Sequence, residues 1–314
     1  MTETSVDALI IGGGPAGLSA ALNLARARTS VLVADTGRPR NAATLRSHGF
    51  LTRDGISPIE LRKLARAELD VYPAVRVLDR TSVTTLTEAD AGDDARFTAT
   101  LQSGRSREPR VVSARSVLIA TGLRETLPAV PSLRSFYGMT LFSCAACDAW
   151  ELQDRPLALI GETPDLPARA RLLARWTDDL AVFTNGAGVV DTVEEAELAA
   201  SGIVVERRPI ADLEGDRGQV SGILLTDGTR IPIAGGFVRP RWEPALDFLA
   251  GLDVRRDSDG HLLVDRSGRT TIAGLYGAGD AAAPGPQQLI VAAGQGARAA
   301  AVMVHDMVGV RTTH

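Results

Sequence analysis

Apolar runs of strand length alternate with helical stretches along both halves of this chain. Residues 6–11, which are apolar except for Asp7, predict a fully buried parallel strand, and a glycine-rich turn joins it to an alanine-rich helix over residues 18–28. A second strand is predicted over residues 30–34, and residues 289–307 predict a long helix of mostly small side chains. Strands and helices that alternate in this way predict an α/β fold built on parallel sheets.

The turn after the first strand has the glycine spacing of a dinucleotide-binding loop. It consists of Gly12, Gly13, Gly14, Pro15, Ala16 and Gly17. Gly12 permits a tight turn, Gly14 lets the backbone approach a pyrophosphate, and Gly17 lets the helix pack closely on the strand. A pyrophosphate would then lie at the helix N-terminus, where unpaired N–H groups and the helix dipole favour negative charge.

Asp35 follows directly after the second predicted strand. In a dinucleotide site an acid at this point accepts hydrogen bonds from the ribose hydroxyls, and it would repel a 2′-phosphate. The loop, its strand, its helix and this acid occur in the required order, which favours a site for FAD or NAD over one for NADP.

A second nucleotide-type strand leads into a loop that keeps only its first glycine, Gly161. Thr163 puts a Cβ where the backbone would have to approach a pyrophosphate, and Leu166 replaces a small residue at the contact between helix and strand. Glu162 and Asp165 add negative charge where a diphosphate would lie. The loop therefore predicts a nucleotide-type domain that has lost its nicotinamide cofactor.

The next strand, predicted over residues 180–183, ends in a stretch without the arginine cluster that would pair with a 2′-phosphate, residues 184–187. Arg169, Arg171 and Arg175 lie on the intervening helix and could compensate in part. The alternative is that they form a solvated helix face, and this second interpretation is favoured.

The two cysteines of the chain occur together, as Cys144 and Cys147, with Asp148 directly behind them. One helical turn brings two such sulfurs within bonding distance, so the pair can cycle between dithiol and disulfide. Two thiols are fewer than the four ligands of a usual structural zinc site, and no metal is expected. The alternatives are a pair of buried small residues, or half of a metal site shared between subunits.

Composition and charge narrow the classes of function. Hydrophobic residues make up 45% of the chain and charged residues 23%, which is typical of a well-packed globular protein. A net charge of −4 predicts no basic face for nucleic acid or an anionic membrane. No apolar segment has the length of a membrane span and residues 1–7 lack the features of a secretory signal, so a cytoplasmic location is expected, where a lone cysteine pair is typically redox-active.

Two further motifs resemble those of flavoproteins that have two dinucleotide-binding domains. The residues concerned are Ala120, Thr121, Gly122, Gly279, Asp280, Gln288 and Leu289. The resemblance implies that Asp280 binds the ribitol or phosphate of FAD, and that the backbone at Gln288 and Leu289 reaches the flavin pyrimidine. Together with the first glycine loop, these motifs favour FAD over NAD.

Over its whole length the chain resembles the low-molecular-weight thioredoxin reductases, and the resemblance rests on the two glycine-rich motifs, the segment at residues 120–122 and the cysteine pair. It implies two Rossmann-like domains. An FAD domain would comprise residues 1–118 and 245–314, and an inserted, degenerate NADPH-type domain would comprise residues 119–244 and carry the cysteines. A homodimer is implied by the same resemblance.

The resemblance also implies a role for each residue around the cysteines. Cys147 would be the cysteine nearest the flavin, Cys144 the one that exchanges with the dithiol partner, and Asp148 the acid and base that moves thiol protons. His48 is a second candidate base near the substrate, because a histidine side chain exchanges protons readily near neutral pH. The alternative for His48 is a loop histidine that caps a turn.

The degenerate second loop and residues 47–55 look more like one branch of this group, the FAD-dependent dithiol oxidases. These enzymes close disulfides in dithiolopyrrolone, epidithiodiketopiperazine and depsipeptide natural products, such as holomycin, gliotoxin and romidepsin, and lack a working NADPH site. The resemblance implies a small-molecule dithiol as substrate and O₂ as electron acceptor, with H₂O₂ as product. Asp148 departs from this branch, in which histidine is expected at that position in many members.

Two other functions stay open at this point. One is a thioredoxin reductase-like enzyme that is reduced by NADPH or ferredoxin, and the other is a non-catalytic flavin-binding redox sensor. Phe142 and Trp150 flank the cysteines, where they either line an apolar pocket or simply pack against their neighbours. The sequence does not indicate a role for Trp242.

Overall fold

The computed structural model describes residues 4–89, 95–104, 106, 108–282 and 285–310. The chain divides into two compact units. Unit 1 consists of Met1–Ala42, Gly49–Arg124 and Glu243–His314, and unit 2 consists of Ala43–His48 and Glu125–Trp242. No helix among the described residues is long and apolar enough to cross a membrane.

The elements of the described chain are numbered in chain order. The strands are β1 Thr4–Ile11, β2 Val31–Asp35, β3 Val75–Asp79, β4 Thr81–Glu88, β5 Phe97–Ser103, β6 Arg110–Ile119, β7 Leu123–Thr126, β8 Leu141–Phe142, β9 Leu157–Gly161, β10 Leu180–Phe183, β11 Val204–Glu206, β12 Ile210–Asp216, β13 Gln219–Leu225, β14 Arg230–Pro232, β15 Gly235–Arg239, β16 Arg241–Pro244 and β17 Leu275–Gly277. The helices are α1 Pro15–Arg26, α2 Pro58–Leu69, α3 Leu133–Phe136, α4 Ala145–Asp148, α5 Leu166–Leu173, α6 Thr192–Ala200 and α7 Leu289–Met307.

Unit 1 is built on a seven-stranded sheet in the order β3-β2-β1-β6-β5-β4, with β17 also beside β6. The strands β3, β2, β1, β6 and β17 run parallel, whereas β5 and β4 pair antiparallel. Alternate residues of β1 enter two apolar clusters, Leu9 and Ile11 in one and Ala8 and Ile10 in the other. The sheet is therefore covered on both faces, which explains why consecutive residues at the ends of the central strands, residues 8–11 and 117–119, are all apolar.

Unit 2 is built on a five-stranded parallel sheet in the order β11-β10-β9-β15-β8, and it also contains a three-stranded antiparallel sheet, β12-β13-β14. Leu157 and Leu159 of β9 enter one apolar cluster, while Ala158 and Ile160 enter another. Both faces of this sheet are therefore covered as well. The predicted fold class, two Rossmann-like α/β units, is confirmed.

The unit boundaries differ from the predicted ones by a few residues. Unit 1 continues to Arg124, and the turn after β6 is held in this unit by a 2.8 Å hydrogen bond from the Ala120 N–H to the Ile11 carbonyl. The chain leaves unit 2 after Trp242 and returns to unit 1 at Glu243, two residues before the predicted boundary. The segment Ala43–His48 was expected in the FAD domain, but it belongs to unit 2.

The helix limits follow from local backbone chemistry. The helix α1 begins at Pro15, three residues before the predicted start, since proline is well suited to the first helical position. It ends at Arg26, and Arg28 beyond it adopts a left-handed conformation with φ of 63°. The long helix predicted over residues 289–307 is confirmed as α7.

Candidate active site

The first glycine loop of unit 1 is so closely packed that a side chain on Gly12 or Gly17 would overlap backbone atoms. A Cβ on Gly12 would lie 2.2 Å from the Ala120 carbonyl oxygen, and the φ of Gly12 is +115°. A Cβ on Gly17 would lie 1.9 Å from the Gly12 carbonyl oxygen. Both contacts are with backbone, which cannot move aside as a side chain can. The loop therefore needs glycine at these two positions.

The start of α1 can receive an anion. Gly14 is the N-cap residue and makes no side-chain cap, so the first N–H groups of α1 have no partner from a capping side chain. No protein atom lies within 4 Å of where a Gly14 Cβ would stand. Gly13, Gly14 and Pro15 line a cavity of about 540 Å³ that also has an apolar wall, including Leu18 and Leu61. This open, N–H-rich loop fits a diphosphate.

The late motif of the chain meets the first loop at Ala16. A Cβ on Gly296 of α7 would lie 2.0 Å from the Ala16 carbonyl oxygen, and one on Gly279 would lie 3.0 Å from the Ala16 Cβ. Gln288 is the N-cap residue of α7 and Leu289 is its first residue. The small residues of α7 therefore let it cross α1 closely, which brings the motifs from both ends of the chain together within unit 1.

Asp35 is buried, with 4% of its surface exposed, and it is surrounded by donors. Its carboxylate accepts a hydrogen bond from the Gly37 N–H at 2.8 Å, and it accepts others from Arg62 and from Arg66. A Cβ on Gly13 would lie 2.2 Å from its Oδ2 atom. The sequence did not identify these arginines or the need for Gly13. The arginines reach Asp35 of β2 from α2, and Gly13 meets the same side chain from the glycine loop, so both contacts join parts of the chain that are distant in sequence.

Of the other predicted cofactor residues, Asp280 and Gly279 have hydrogen-bond partners in unit 1, whereas the Thr121 hydroxyl has none among the described residues. Arg40 Nη2 donates to Asp280 Oδ2 at 2.7 Å, and the Gly279 N–H donates to Gln295 Oε1 at 2.8 Å. The buried Thr121 hydroxyl has no hydrogen-bond partner among the described residues, and Gly122 has a φ of +67°. An orphaned hydroxyl beside the glycine loop fits a polar cofactor.

In unit 2 the two cysteines are joined. Cys144 and Cys147 form a disulfide, with their Cα atoms 5.3 Å apart. Cys144 is the N-cap residue of α4, and its carbonyl accepts hydrogen bonds from the N–H groups of Cys147 at 3.2 Å and Asp148 at 3.1 Å. A single helical turn therefore closes the pair, and both cysteines are half-buried.

Three titratable side chains surround this disulfide segment. Burial raises the pKa of Asp148 to about 7, with the charge of His48 opposing the rise and that of Glu151 adding to it. His48 Nε2 lies 3.6 Å from Glu151 Oε1. Asp148 and His48, which the sequence offered separately as candidate bases, are thus close enough in unit 2 for their charges to interact, and an acid with a pKa near neutrality can both take up and release a thiol proton.

The sequence did not identify Glu151 as part of this site. It follows Asp148 by three positions, a spacing that puts two side chains on one face of a helical stretch. That signal was available, but its partner His48 comes from the distant segment Ala43–His48, which no local pattern assigns to unit 2.

The second nucleotide-type loop is filled by protein side chains. A Cβ on Gly161 would lie 2.8 Å from the Arg239 Cβ. Asp165 accepts hydrogen bonds from Arg239 Nε at 2.9 Å, Arg169 Nε at 2.6 Å and the Thr163 hydroxyl at 2.7 Å. Burial raises the pKa of Asp165, but the hydrogen bonds from Arg239, Thr163 and Arg169 outweigh it and bring the pKa down to about 2.

Trp242 completes this cluster. The Arg239 guanidinium lies 4.2 Å from the centre of the Trp242 ring, and that of Arg169 lies 5.9 Å from it. The Trp242 indole N–H donates to Glu125 Oε1 at 3.0 Å. Arg169 is therefore not part of a merely solvated helix face, as was favoured from the sequence. Asp165, Arg169, Arg239 and Trp242 are called the loop plug below.

Among the described residues, one group has the ligand types of a metal site: Asp257, Asp259 and His261. Asp257 Oδ1 accepts hydrogen bonds from the backbone N–H groups of Asp259 at 2.9 Å and His261 at 2.8 Å. These bonds close a tight turn, so the carboxylate already has a structural role.

The fold and these two sites define a flavoprotein of the thiol/disulfide oxidoreductase class. The chain belongs to the pyridine nucleotide-disulphide oxidoreductase family, whose model matches residues 6–296. Members of this family carry a flavin, and the open glycine loop with its neighbouring polar groups in unit 1 fits one.

Solved structures support the same class. A structure named TrxB, from Bacillus anthracis, is 36% identical, covers 96% of this chain and 99% of its own, and superposes with a TM-score of 0.88. The structure of HlmI is 32% identical, with 97% and 93% covered and a TM-score of 0.88.

Curated proteins named thioredoxin reductase are also similar. The sirT protein of Leptosphaeria maculans is 28% identical over 295 residues, which are 88% of this chain and 87% of that protein. Matches to relatives from Arthroderma benhamiae and Claviceps purpurea span only 45% and 44% of those proteins.

Proposed function

We propose that this protein is an FAD-dependent dithiol oxidase of the cytoplasm that acts as a homodimer. It closes an intramolecular disulfide in a small-molecule dithiol of natural-product type, and O₂ accepts the electrons and leaves as H₂O₂. The observation that carries the proposal is the loop plug, which occupies the second nucleotide loop while the disulfide Cys144–Cys147 and its acid Asp148 are intact.

The loop plug argues against a nicotinamide cofactor as the source of electrons. A diphosphate would have to displace Arg239 from Asp165, which would leave a partly buried carboxylate without its main partner. Loss of the partner of a partly buried charged group costs about 1–3 kcal/mol. Glu162 lies in the same loop, where its amide partner is Asn185 at 2.8 Å, and it adds a second negative charge. Without a nicotinamide cofactor, a dithiol substrate can supply the electrons at the cysteine pair.

Dithiol oxidation follows from exchange at Cys144. A substrate thiolate attacks the Cys144 sulfur, so that a mixed disulfide forms and the bond to Cys147 breaks, with Cys147 leaving as a thiolate. The second substrate thiolate attacks the substrate sulfur of the mixed disulfide, which forms the product disulfide and releases Cys144. Two electrons thereby pass from the substrate to the cysteine pair, and the two protons of the substrate thiols are released to a base and to solvent.

The three titratable groups give the protons a route. Asp148 is largely enclosed, the side chain of His48 is 16% exposed, and that of Glu151 is 44% exposed. Asp148 takes a proton released at the sulfurs, because burial raises its pKa to about 7. His48 and Glu151 are close enough to Asp148 for their charges to act on it, and Glu151 is the most exposed of the three, so protons can leave toward solvent through these side chains.

FAD, when bound, supplies the two-electron acceptor that links the reduced cysteine pair to O₂. The residues that would hold it are Gly12, Gly14, Pro15, Ala16, Gly17, Asp35, Ala120, Thr121, Gly122, Gly279, Asp280, Gln288 and Leu289. Asp35 and Asp280 would offer their carboxylates to hydroxyl groups, and Arg40, Arg62 and Arg66 balance the charge of these two acids.

The test is peroxide formation from dithiothreitol in air by the purified flavoprotein, compared with free FAD. C144S and C147S should each lower the rate by about a hundredfold or more and keep the flavin. S143A, next to the pair, is the matched control and should retain the wild-type rate. Absence of peroxide above the free-FAD rate with several dithiols would overturn the proposal in favour of a flavin-binding sensor.

A reductase is the second candidate function, and one observation favours it. Asp148 follows the Cys-x-x-Cys pair as in the reductases, whereas histidine is expected there in many dithiol oxidases. In this case NADPH or ferredoxin would reduce the flavin, and the cysteine pair would deliver electrons to a disulfide partner. Rapid bleaching of the flavin by NADPH without oxygen would support this function.

A further inference from the structure

Trp150 is held out into solvent beside the reactive disulfide. It begins a 3-10 turn, Trp150–Leu152, that continues directly from α4 through Ala149. Ala149 has no exposed surface and Leu152 has 4%, and both belong to an apolar core cluster of unit 2. These two residues anchor the turn on either side of Trp150, which is 68% exposed.

The register places this side chain on the same side as the second cysteine. Trp150 follows Cys147 by three positions, and Ala149 between them has helical dihedrals, φ −74° and ψ −22°. In a helical stretch, side chains three positions apart are neighbours on one face, and in 3-10 geometry they eclipse. This spacing puts the indole on the Cys147 side of the turn that carries the disulfide.

The other two tryptophans have structural roles. Trp176 packs against the same apolar cluster, and Trp242 stacks with Arg239 and donates to Glu125. All three tryptophans of the chain lie in the described ranges, and only Trp150 is exposed. A large apolar ring kept in water loses the free energy that burial would give it, so covering it by a ligand is favourable.

We propose that Trp150 is the platform on which the apolar body of the dithiol substrate stacks while its sulfurs reach Cys144. This inference rests on the proposed function and adds a substrate class: a small, uncharged or cationic dithiol with a planar or otherwise apolar body. Continuity with the disulfide favours this occupant over a second copy of the chain. Asp148 and Glu151, on either side of Trp150 in the sequence, disfavour an anionic substrate.

The first arm of the test compares two dithiols. Benzene-1,2-dimethanethiol has an aromatic body and dithiothreitol has none. In W150A the ratio of kcat/KM for the aromatic dithiol to that for dithiothreitol should fall at least about tenfold, equivalent to about 1.4 kcal/mol, through KM. W150F should keep most of the ratio, because it retains an aromatic face, and the control W176F should keep all of it.

The second arm measures binding without turnover. Benzene-1,2-dimethanol has hydroxyl groups in place of the two thiols, so it can bind but cannot form a disulfide. It should quench the tryptophan fluorescence of wild type and W176F but not that of W150F. Absence of this quenching, or an unchanged kcat/KM ratio in W150A, would overturn the platform. A wild type that oxidises neither dithiol would instead contradict the proposed function, and the quenching would still decide the role of Trp150.

Sedimentation of W150A and wild type gives the remaining outcome. A lower association state in W150A with an unchanged kcat/KM ratio would assign Trp150 to an interface between copies of this chain and overturn the proposal. An unchanged association state together with the tenfold loss supports it.

Discussion

His48 Nε2 lies 3.6 Å from Glu151 Oε1, next to an acid, Asp148, that burial has moved to a pKa of about 7. The two neighbours act on this acid in opposite directions, because a positive charge favours the carboxylate and a negative charge favours the protonated form. The disulfide segment thus carries an acid whose proton affinity is set by its surroundings and can be tuned by single substitutions.

The pH–rate profile should respond to these neighbours with opposite signs. In H48Q the pKa of Asp148 should rise, because a favourable charge is lost, and the rate limb assigned to it should move to higher pH. In E151Q the pKa should fall and the limb should move to lower pH. Steady-state oxidation of dithiothreitol between about pH 5 and 9 measures both shifts. Shifts in the same direction, or none in either variant, would remove Asp148 from the proton route.

The folding stability of D148N should exceed that of wild type at alkaline pH. The folded pKa of about 7 lies above the ordinary value of 3.8, so the folded state keeps a proton that the unfolded chain releases between these values. Stability of wild type therefore falls as pH rises through this window and levels off above it. D148N lacks this loss, and should be more stable by on the order of 2–4 kcal/mol at pH 8 and nearly equal at pH 4.

Urea unfolding at the two pH values, followed by circular dichroism, gives this comparison. D216N, whose carboxylate is exposed, should show no difference at either pH. A D148N variant that is less stable than wild type at pH 8 would mean that Asp148 is not held in the environment described.

Flavin retention should separate two glycines of the same helix. A Cβ at Gly296 would lie 2.0 Å from the Ala16 carbonyl oxygen, whereas no atom lies within 4 Å of one at Gly294. G296A should therefore push α7 from α1 and lose most of the flavin, while G294A should keep it and gain up to about 1 kcal/mol in stability. The measurement is the ratio of bound flavin to protein in each purified variant. Equal flavin content in both variants would contradict the assembly of the site at Ala16.

The loop plug should contribute more to stability than a surface ion pair of the same type. R239A removes the main partner of Asp165 and should cost about 1–3 kcal/mol, whereas R230A breaks an exposed pair with Glu214 and should cost less than about 1 kcal/mol. Urea unfolding measures the two free energies. A cost for R239A no larger than that for R230A would show that the plug does not hold the loop.

Much of unit 1 could be predicted because its chemistry is local. The glycine spacing from Gly12 to Gly17 and the run of small residues in α7 follow from close backbone approach, and Asp35 follows from its place at the end of β2. The absence of further glycines after Gly161 predicted a degenerate nucleotide loop for the same reason.

The contacts that define the rest join distant parts of the chain. Arg239 and Asp165 are 74 positions apart, and neither residue type nor spacing indicates that they meet. Arg62 reaches Asp35 from α2 across 27 positions, and the segment that carries His48 joins unit 2 although its neighbours on both sides belong to unit 1. Tertiary packing determines which of these distant residues meet, and a single sequence does not show such contacts.

The direction of electron flow is the central claim, and anaerobic mixing in a stopped-flow spectrophotometer tests it most directly. A dithiol and NADPH are mixed separately with the oxidised flavoprotein, and the visible absorption of the flavin is followed. Rapid bleaching by dithiothreitol, no bleaching by NADPH, and recovery on admission of oxygen are the expected results. Rapid bleaching by NADPH, with slow or no bleaching by dithiols, would contradict the account.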